Sequence, residues 1–137
     1  MKDWLTLKSG TDVRGVALPG IPGEDVSLTA EDSRVIAAIF AQWLSEKTGK
    51  GVGELKISIG MDSRLSSPDL LGAAAGGMAA LGVMVPDCGL CSTPAMFMTT
   101  LQDTLNCDGA VMITASHLPL NRNGLKFFTK NGGLDGS

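Results

Sequence analysis

The chain has 137 residues, 44% of them hydrophobic and 18% charged, with a formal net charge of -3. These are the values of a globular protein with one core, near the usual size of one domain, and they exclude a disordered or fibrous chain. Its basic residues are scattered, so it lacks the positive footprint that a nucleic-acid backbone requires, and the uncharged stretch Leu70 to Val85 falls short of the roughly 20 apolar residues that span a bilayer.

The N-terminal "MKDWLTLKSG" carries no apolar run of signal-peptide length, and three cysteines, an odd number, suit a reducing compartment. A cytoplasmic protein is expected, with neither nucleic acid nor membrane as partner. The first helix is predicted from about Thr29 to Thr48. Val35, Ile36, Ile39, Phe40, Trp43 and Leu44 repeat at helical spacing, Thr29 can cap the start, Glu31 and Asp32 lie in the first turn, and Lys47 with Gly49 marks the end. A strand, "LKISIG", leads to a second helix, with Ser67 as cap before Pro68, running to about Leu81. Another strand, "VMVPDCG", precedes a third helix announced by Thr93 and Pro94. The apolar run "DGAVMITA" has no helical period and reads as a central strand buried on both faces. After a loop, "GLKFFTKNGG" is predicted as a further strand reaching a glycine turn at Gly132 and Gly133. This alternation defines an α/β fold: a mixed, mostly parallel sheet with helices on both faces, forming a single domain over 1–137.

In such sheets ligands sit beyond the carboxyl ends of strands, which draws attention to "TASHLPLNRNGLKFF", the loop holding Ser116 and the only histidine, His117. Neighbouring residues on extended backbone point to opposite sides, and no "GxSxG" surrounds Ser116, so a hydrolase-type Ser-His couple is poor geometry. Taken alone, the pair reads equally as a loop serine and a locally satisfied histidine.

Four motifs in order, "KSGTDVRG", "GMDSRLSS", "GLCSTP" and "TASHLPLNRNGLKFF", resemble those of the α-D-phosphohexomutases, the phosphoglucomutase and phosphomannomutase superfamily, over nearly the whole chain. The resemblance implies the first of four domains of such an enzyme. Ser116 is then the phosphoserine that gives its phosphoryl group to one end of a sugar monophosphate, forming a hexose 1,6-bisphosphate that returns phosphate from its other end. Lys126 corresponds to a lysine that assists proton transfer or neutralises phosphate, Arg14 to an arginine contacting the phosphoserine region and substrate, and His117 to a residue shaping the site. Arg64 and Asn123 fall among the phosphate-contacting residues, although Arg64 serves equally to hold Asp62 or its own loop. The resemblance further implies Mg2+, held through the phosphate on Ser116 and by aspartates of a second domain absent from this chain. It follows that the chain is expected to be the amino-terminal part of a longer enzyme and inactive alone, with a hexose phosphate and the remaining domains of the same protein as its partners.

Two departures stand out. Leu118 replaces the asparagine of the common "TASHNP", and Met61 stands where "GRD" is frequent. Three rival expectations come from the residues themselves: a dithiol at Cys88 and Cys91, a zinc site built from Cys88, Cys91, Cys107 and His117, and a non-catalytic module acting through partners.

Overall fold

A computed structural model describes residues 4–9, 12–101, 106–115, 118–119, 121–130 and 132–133. The described strands form one sheet in the order β1 (Lys8–Ser9), β2 (Asp12–Val16), β6 (Arg122–Thr129), β5 (Gly109–Ile113), β3 (Ile57–Met61), β4 (Asp87–Leu90), and β7 (Gly132–Gly133) pairs with β6. β3 lies parallel to both β4 and β5, whereas β6 is antiparallel to β5, β2 and β7, and β1 to β2. The fold is α/β with a mixed sheet.

Connection handedness decides where the helices go. The steps from β2 through α1 (Ala30–Thr48) to β3, and from β3 through α2 (Ser67–Ala79) to β4, move across the sheet in one direction. The step from β4 through α3 (Thr93–Met98) to β5 moves back. Crossovers between parallel strands are right-handed, so the first two helices must share a face and the third must take the other. They do. Phe40, Leu44 and Leu71 of the helices pack on Ile57, Ile59, Val111 and Ile113, while Met96 of α3 meets Ala110, Met112 and Phe128 on the opposite face. β5 is therefore buried on both sides along its whole length, as its apolar run predicts.

Local signals set the helix ends, with two corrections. Thr29 caps α1 in a capping box: its hydroxyl accepts from the Asp32 N–H, and the Asp32 carboxylate accepts from the Thr29 N–H. α2 begins at Ser67 itself, preceded by Ser66 with no side-chain cap, because the Ser67 hydroxyl donates to Asp62 at 2.9 Å instead. Ser92, not Thr93, caps α3, accepting from the Ala95 N–H at 3.2 Å. α2 stops at Ala79, and Gly82, at a φ of 94°, turns the chain toward β4. That strand starts only at Asp87, with Met84 making a single bridge to Lys56.

The buried stripe of α1 also differs from the predicted one. Ser33, Ala37, Phe40, Ala41 and Leu44 are buried, whereas Ile39 and Trp43 are 58% and 39% exposed. The cause is the close approach of α2, which favours the small-residue face of α1. A Cβ placed on Gly77 would lie 2.3 Å from the Arg34 carbonyl oxygen, and the Ser33 hydroxyl donates to the Leu70 carbonyl at 2.8 Å. The N-terminal strands β1 and β2 have no counterpart in the sequence prediction, since "DVRGV" is short, charged and without strict alternation.

At the opposite end of β5, Asp108 accepts from Lys50 Nζ at 2.7 Å and from the Lys56 N–H at 3.0 Å. The hydrogen bond to Asp108 holds the Lys50 ammonium above its ordinary pKa.

Candidate active site

After β3 the chain turns toward β4 and after β5 toward β6, so a crevice opens between the carboxyl ends of β3 and β5. Asp62 sits there. Its N–H donates to the Ile113 carbonyl at 3.0 Å, and its carboxylate accepts from Thr114 Oγ1 at 2.8 Å, Ser67 Oγ at 2.9 Å and Arg64 Nε at 3.2 Å. Ser116 and His117 lie outside the described residues. The chain on either side of them is tied down: the Thr114 N–H donates to the Gly124 carbonyl at 2.9 Å, and the Leu118 N–H to the Ala115 carbonyl at 3.1 Å.

Sheet register brings Arg14 and Lys126 together beside this strand end. Ile113 and Val13 both pair with Leu125, Arg14 pairs with Gly124, and Met112 pairs with Lys126. Side chains alternate along strands, so Arg14 and Lys126 share the face that carries Met112. The Asp12 carboxylate accepts from both, at 3.3 Å from Arg14 Nη2 and 3.4 Å from Lys126 Nζ. The side chains of Arg14 and Lys126 are 21% and 31% exposed, so this mixed cluster reaches solvent without being loose.

Gly124 is the seat of Arg14. A Cβ at Gly124 would meet the Val13 carbonyl oxygen at 2.1 Å, Arg14 Cγ at 2.8 Å and the Thr114 carbonyl oxygen at 3.1 Å. Two of those three atoms are backbone of adjoining strands and cannot swing aside. Gly124→Ala is expected to cost about 2 kcal/mol or more through forced strand separation, read as a lower urea midpoint. The same substitution at Gly72, where nothing lies within 4 Å, carries no such penalty.

Arg64 and Asn123, which sequence reasoning groups with the phosphate-contacting residues, are both engaged with neighbouring loop and helix groups in this structure. The Arg64 guanidinium donates from Nη1 to the Pro119 and Arg122 carbonyls at 2.7 and 3.2 Å, and from Nη2 to Leu118 at 2.8 Å. Asn123 is fully buried, its amide donating to Ser66 Oγ at 2.8 Å and Ser67 Oγ at 3.0 Å while its oxygen accepts from the Gly124 N–H. Sequence reasoning missed Asp12 and Thr114 as functional candidates and mentioned Asp62 only as a partner of Arg64. One signal was available. Both "TDVRG" and "MDSRL" place an aspartate two residues before an arginine, and in each the pair closes on itself. Arg122 pairs in turn with Glu24 at 2.7 Å, and that hydrogen bond holds the Glu24 carboxyl below its ordinary range.

The three cysteines are described, whereas His117, the fourth residue of the zinc rival, lies outside the described residues. The bulge between β3 and β4 lets Cys88 and Cys91 both pack against the cluster around Met96 and Met112, and Cys107 is fully buried. Burial, then the neighbouring Cys91 thiol, pushes the Cys88 pKa up, away from the reactive thiolate. In the native chain at neutral pH, Cys107 is expected to stay silent toward a chromogenic disulfide reagent until denaturant is added, and Cys88 to react more slowly than an unburied cysteine. Among the described residues, no three His, Cys, Asp or Glu side chains gather to hold a metal ion, and no described helix is long and apolar enough to cross a membrane. Asp12 and Asp62 are already engaged with cationic side chains.

A mixed sheet with helices on both faces and polar side chains converging at the strand ends defines an α/β domain. Residues 8–136 match the model of the family described as phosphoglucomutase/phosphomannomutase, alpha/beta/alpha domain I, and the chain belongs to that family. It is 38% identical over 124 residues to a phosphoglucosamine mutase from Moorella thermoacetica, and 39% identical to one from Corynebacterium jeikeium. Each match covers 90% of this chain, which spans about a quarter of the length of those relatives, 25% and 26%. Among solved structures, a phosphoglucomutase/phosphomannomutase family protein from Burkholderia thailandensis superposes with a TM-score of 0.69 at 30% identity, over 86% of this chain and 24% of that one. A protein assigned as a phosphomannomutase from Thermus thermophilus gives 0.73 at 26% identity, over 94% and 26%.

Proposed function

We propose that this chain is the phosphoryl-carrying domain of a cytoplasmic phosphohexomutase that interconverts hexose 1-phosphate and hexose 6-phosphate. The phosphorylated Ser116 oxygen gives PO3 to a hydroxyl of the bound sugar monophosphate, yielding a hexose 1,6-bisphosphate. That intermediate turns over in the cleft and returns PO3 from its other end to Ser116. Phosphoryl transfer of this kind depends on positioning and on charge stabilisation around the moving group. The observation that carries this reading is the Asp12-tethered pair of Arg14 and Lys126 beside the exit of β5. Arg14 offers forked donors to phosphate oxygens, Lys126 moves a proton at the sugar hydroxyl or neutralises the phosphate, and His117 orients the serine's surroundings.

Magnesium, when bound, polarises the phosphoryl oxygens. In this reading the phosphate on Ser116 would hold it from this chain and its remaining ligands would come from outside the chain, so the chain alone is expected to be inactive. The similarity to phosphoglucosamine mutases makes hexosamine phosphates the first substrates to test. Incubating the complete enzyme with a hexose 1,6-bisphosphate and mapping the added phosphate by mass spectrometry should find it on Ser116; label at any other residue overturns the proposal. Lys126→Ala should slow turnover while leaving the thermal midpoint within a few degrees, since a partly exposed lysine contributes little to the core.

A further inference from the structure

Asp62 and Arg64 grip the segment holding Ser116 from both sides. Upstream, Thr114 Oγ1 donates to the Asp62 carboxylate at 2.8 Å, and the Asp62 N–H donates to the Ile113 carbonyl. Downstream, the Arg64 guanidinium donates to the carbonyls of Leu118, Pro119 and Arg122 at 2.8, 2.7 and 3.2 Å. The two halves of the grip are joined, because Arg64 Nε and its N–H both donate to Asp62, each at 3.2 Å. Ser67 Oγ anchors the same carboxylate to the first turn of α2. A guanidinium is suited to this task, since its planar fork satisfies several carbonyls at fixed angles where an ammonium offers one point of charge. The side chain of Arg64 is only 10% exposed, so its donors are turned inward on protein carbonyls.

We infer that Asp62 and Arg64 are positioning residues for the phosphoryl-carrying serine, acting as a clamp that holds both ends of its loop at the carboxyl end of the sheet. This rests on the proposed role of Ser116 and goes beyond it. A clamp fixes the line along which the phosphorus is attacked, and a displacement of about 1 Å there costs on the order of 100-fold in rate. A residue that instead held substrate phosphate would act mainly on binding.

The test uses the complete enzyme and three variants: Arg64→Ala, Arg64→Lys and Thr114→Val, the last nearly isosteric and removing the upstream tie to Asp62. Arg64→Ala and Thr114→Val should lower kcat by about 100-fold and about 10-fold respectively, with KM for the hexose phosphate within about twofold. Guanidinium ion should restore part of the Arg64→Ala rate, and Arg64→Lys should recover little of it. Hydrogen exchange of the peptide spanning 114–122 should quicken in both tie-cutting variants. A raised KM with kcat preserved makes Arg64 a substrate ligand and overturns the clamp, as does unchanged exchange in that peptide. Should Arg64→Ala fail to fold, Thr114→Val with a normal kcat overturns it equally. Failure of the serine assignment shows separately, as phosphate mapped to another residue in the unaltered enzyme.

Discussion

Replacing Ser116 with alanine in the complete enzyme is expected to lower kcat by at least about 10^4-fold, the scale on which enzymes lose rate when a covalent nucleophile is removed. The effect follows from the role proposed for the hydroxyl. Without an oxygen to receive PO3 from the bisphosphate, the two halves of the cycle cannot be joined, and neither Lys126 nor Arg14 supplies a replacement carrier. The variant should keep its circular-dichroism spectrum and melt within a few degrees of the parent. Substrate binding should also persist, measurable as an unchanged Kd for the hexose monophosphate. A variant turning over at the parental rate would end the phosphoserine proposal, while one that also loses binding would give Ser116 a ground-state role.

The second large effect concerns stability, and it reverses sign between neighbouring residues. Gly76 and Gly77 both lie in α2, yet Gly76 is exposed with nothing within 4 Å of an added methyl, whereas Gly77 faces the Arg34 carbonyl of α1 at 2.3 Å. Gly76→Ala should stabilise this chain by about 0.5–1 kcal/mol, the gain in helix propensity. Gly77→Ala has the same propensity gain, but the helices must move apart to admit the methyl, which costs about 1–3 kcal/mol or more and also loosens the Ser33–Leu70 hydrogen bond. The expected result of thermal unfolding is a midpoint raised by a few degrees for Gly76→Ala and lowered by several for Gly77→Ala. Equal shifts of the same sign would show that α1 and α2 do not meet at this contact.

These examples mark where sequence reading succeeds and where it stops. The cap at Thr29, the doubly buried run of β5 and the alternation of elements were legible because each depends on residues close in the chain. The buried stripe of α1 was not, since Ile39 and Trp43 are as apolar as Phe40 and only the approach of α2 selects one face. The two N-terminal strands escaped notice because β1 pairs with β2, whose other partner, β6, lies more than a hundred residues away, and a short charged segment gains its place in the sheet only from that neighbour. Separation along the chain also hid part of the candidate site. Ser116, Lys126 and Arg14 stood out by motif, but Asp12 meets Lys126, and Asp62 meets Thr114, only once the register is set. For Arg64 and Asn123 the motif fixes which polar residue is present, whereas their partners in the adjoining loop and helix follow from the fold.

The ion pair between Lys50 and Asp108 stands at the far tip of β5 from Asp62 and Thr114, with the length of that strand between them. A charged tie and the groups proposed to handle phosphate are thereby housed at opposite poles of a single ribbon, so a substitution at Lys50 is expected to leave the latter undisturbed.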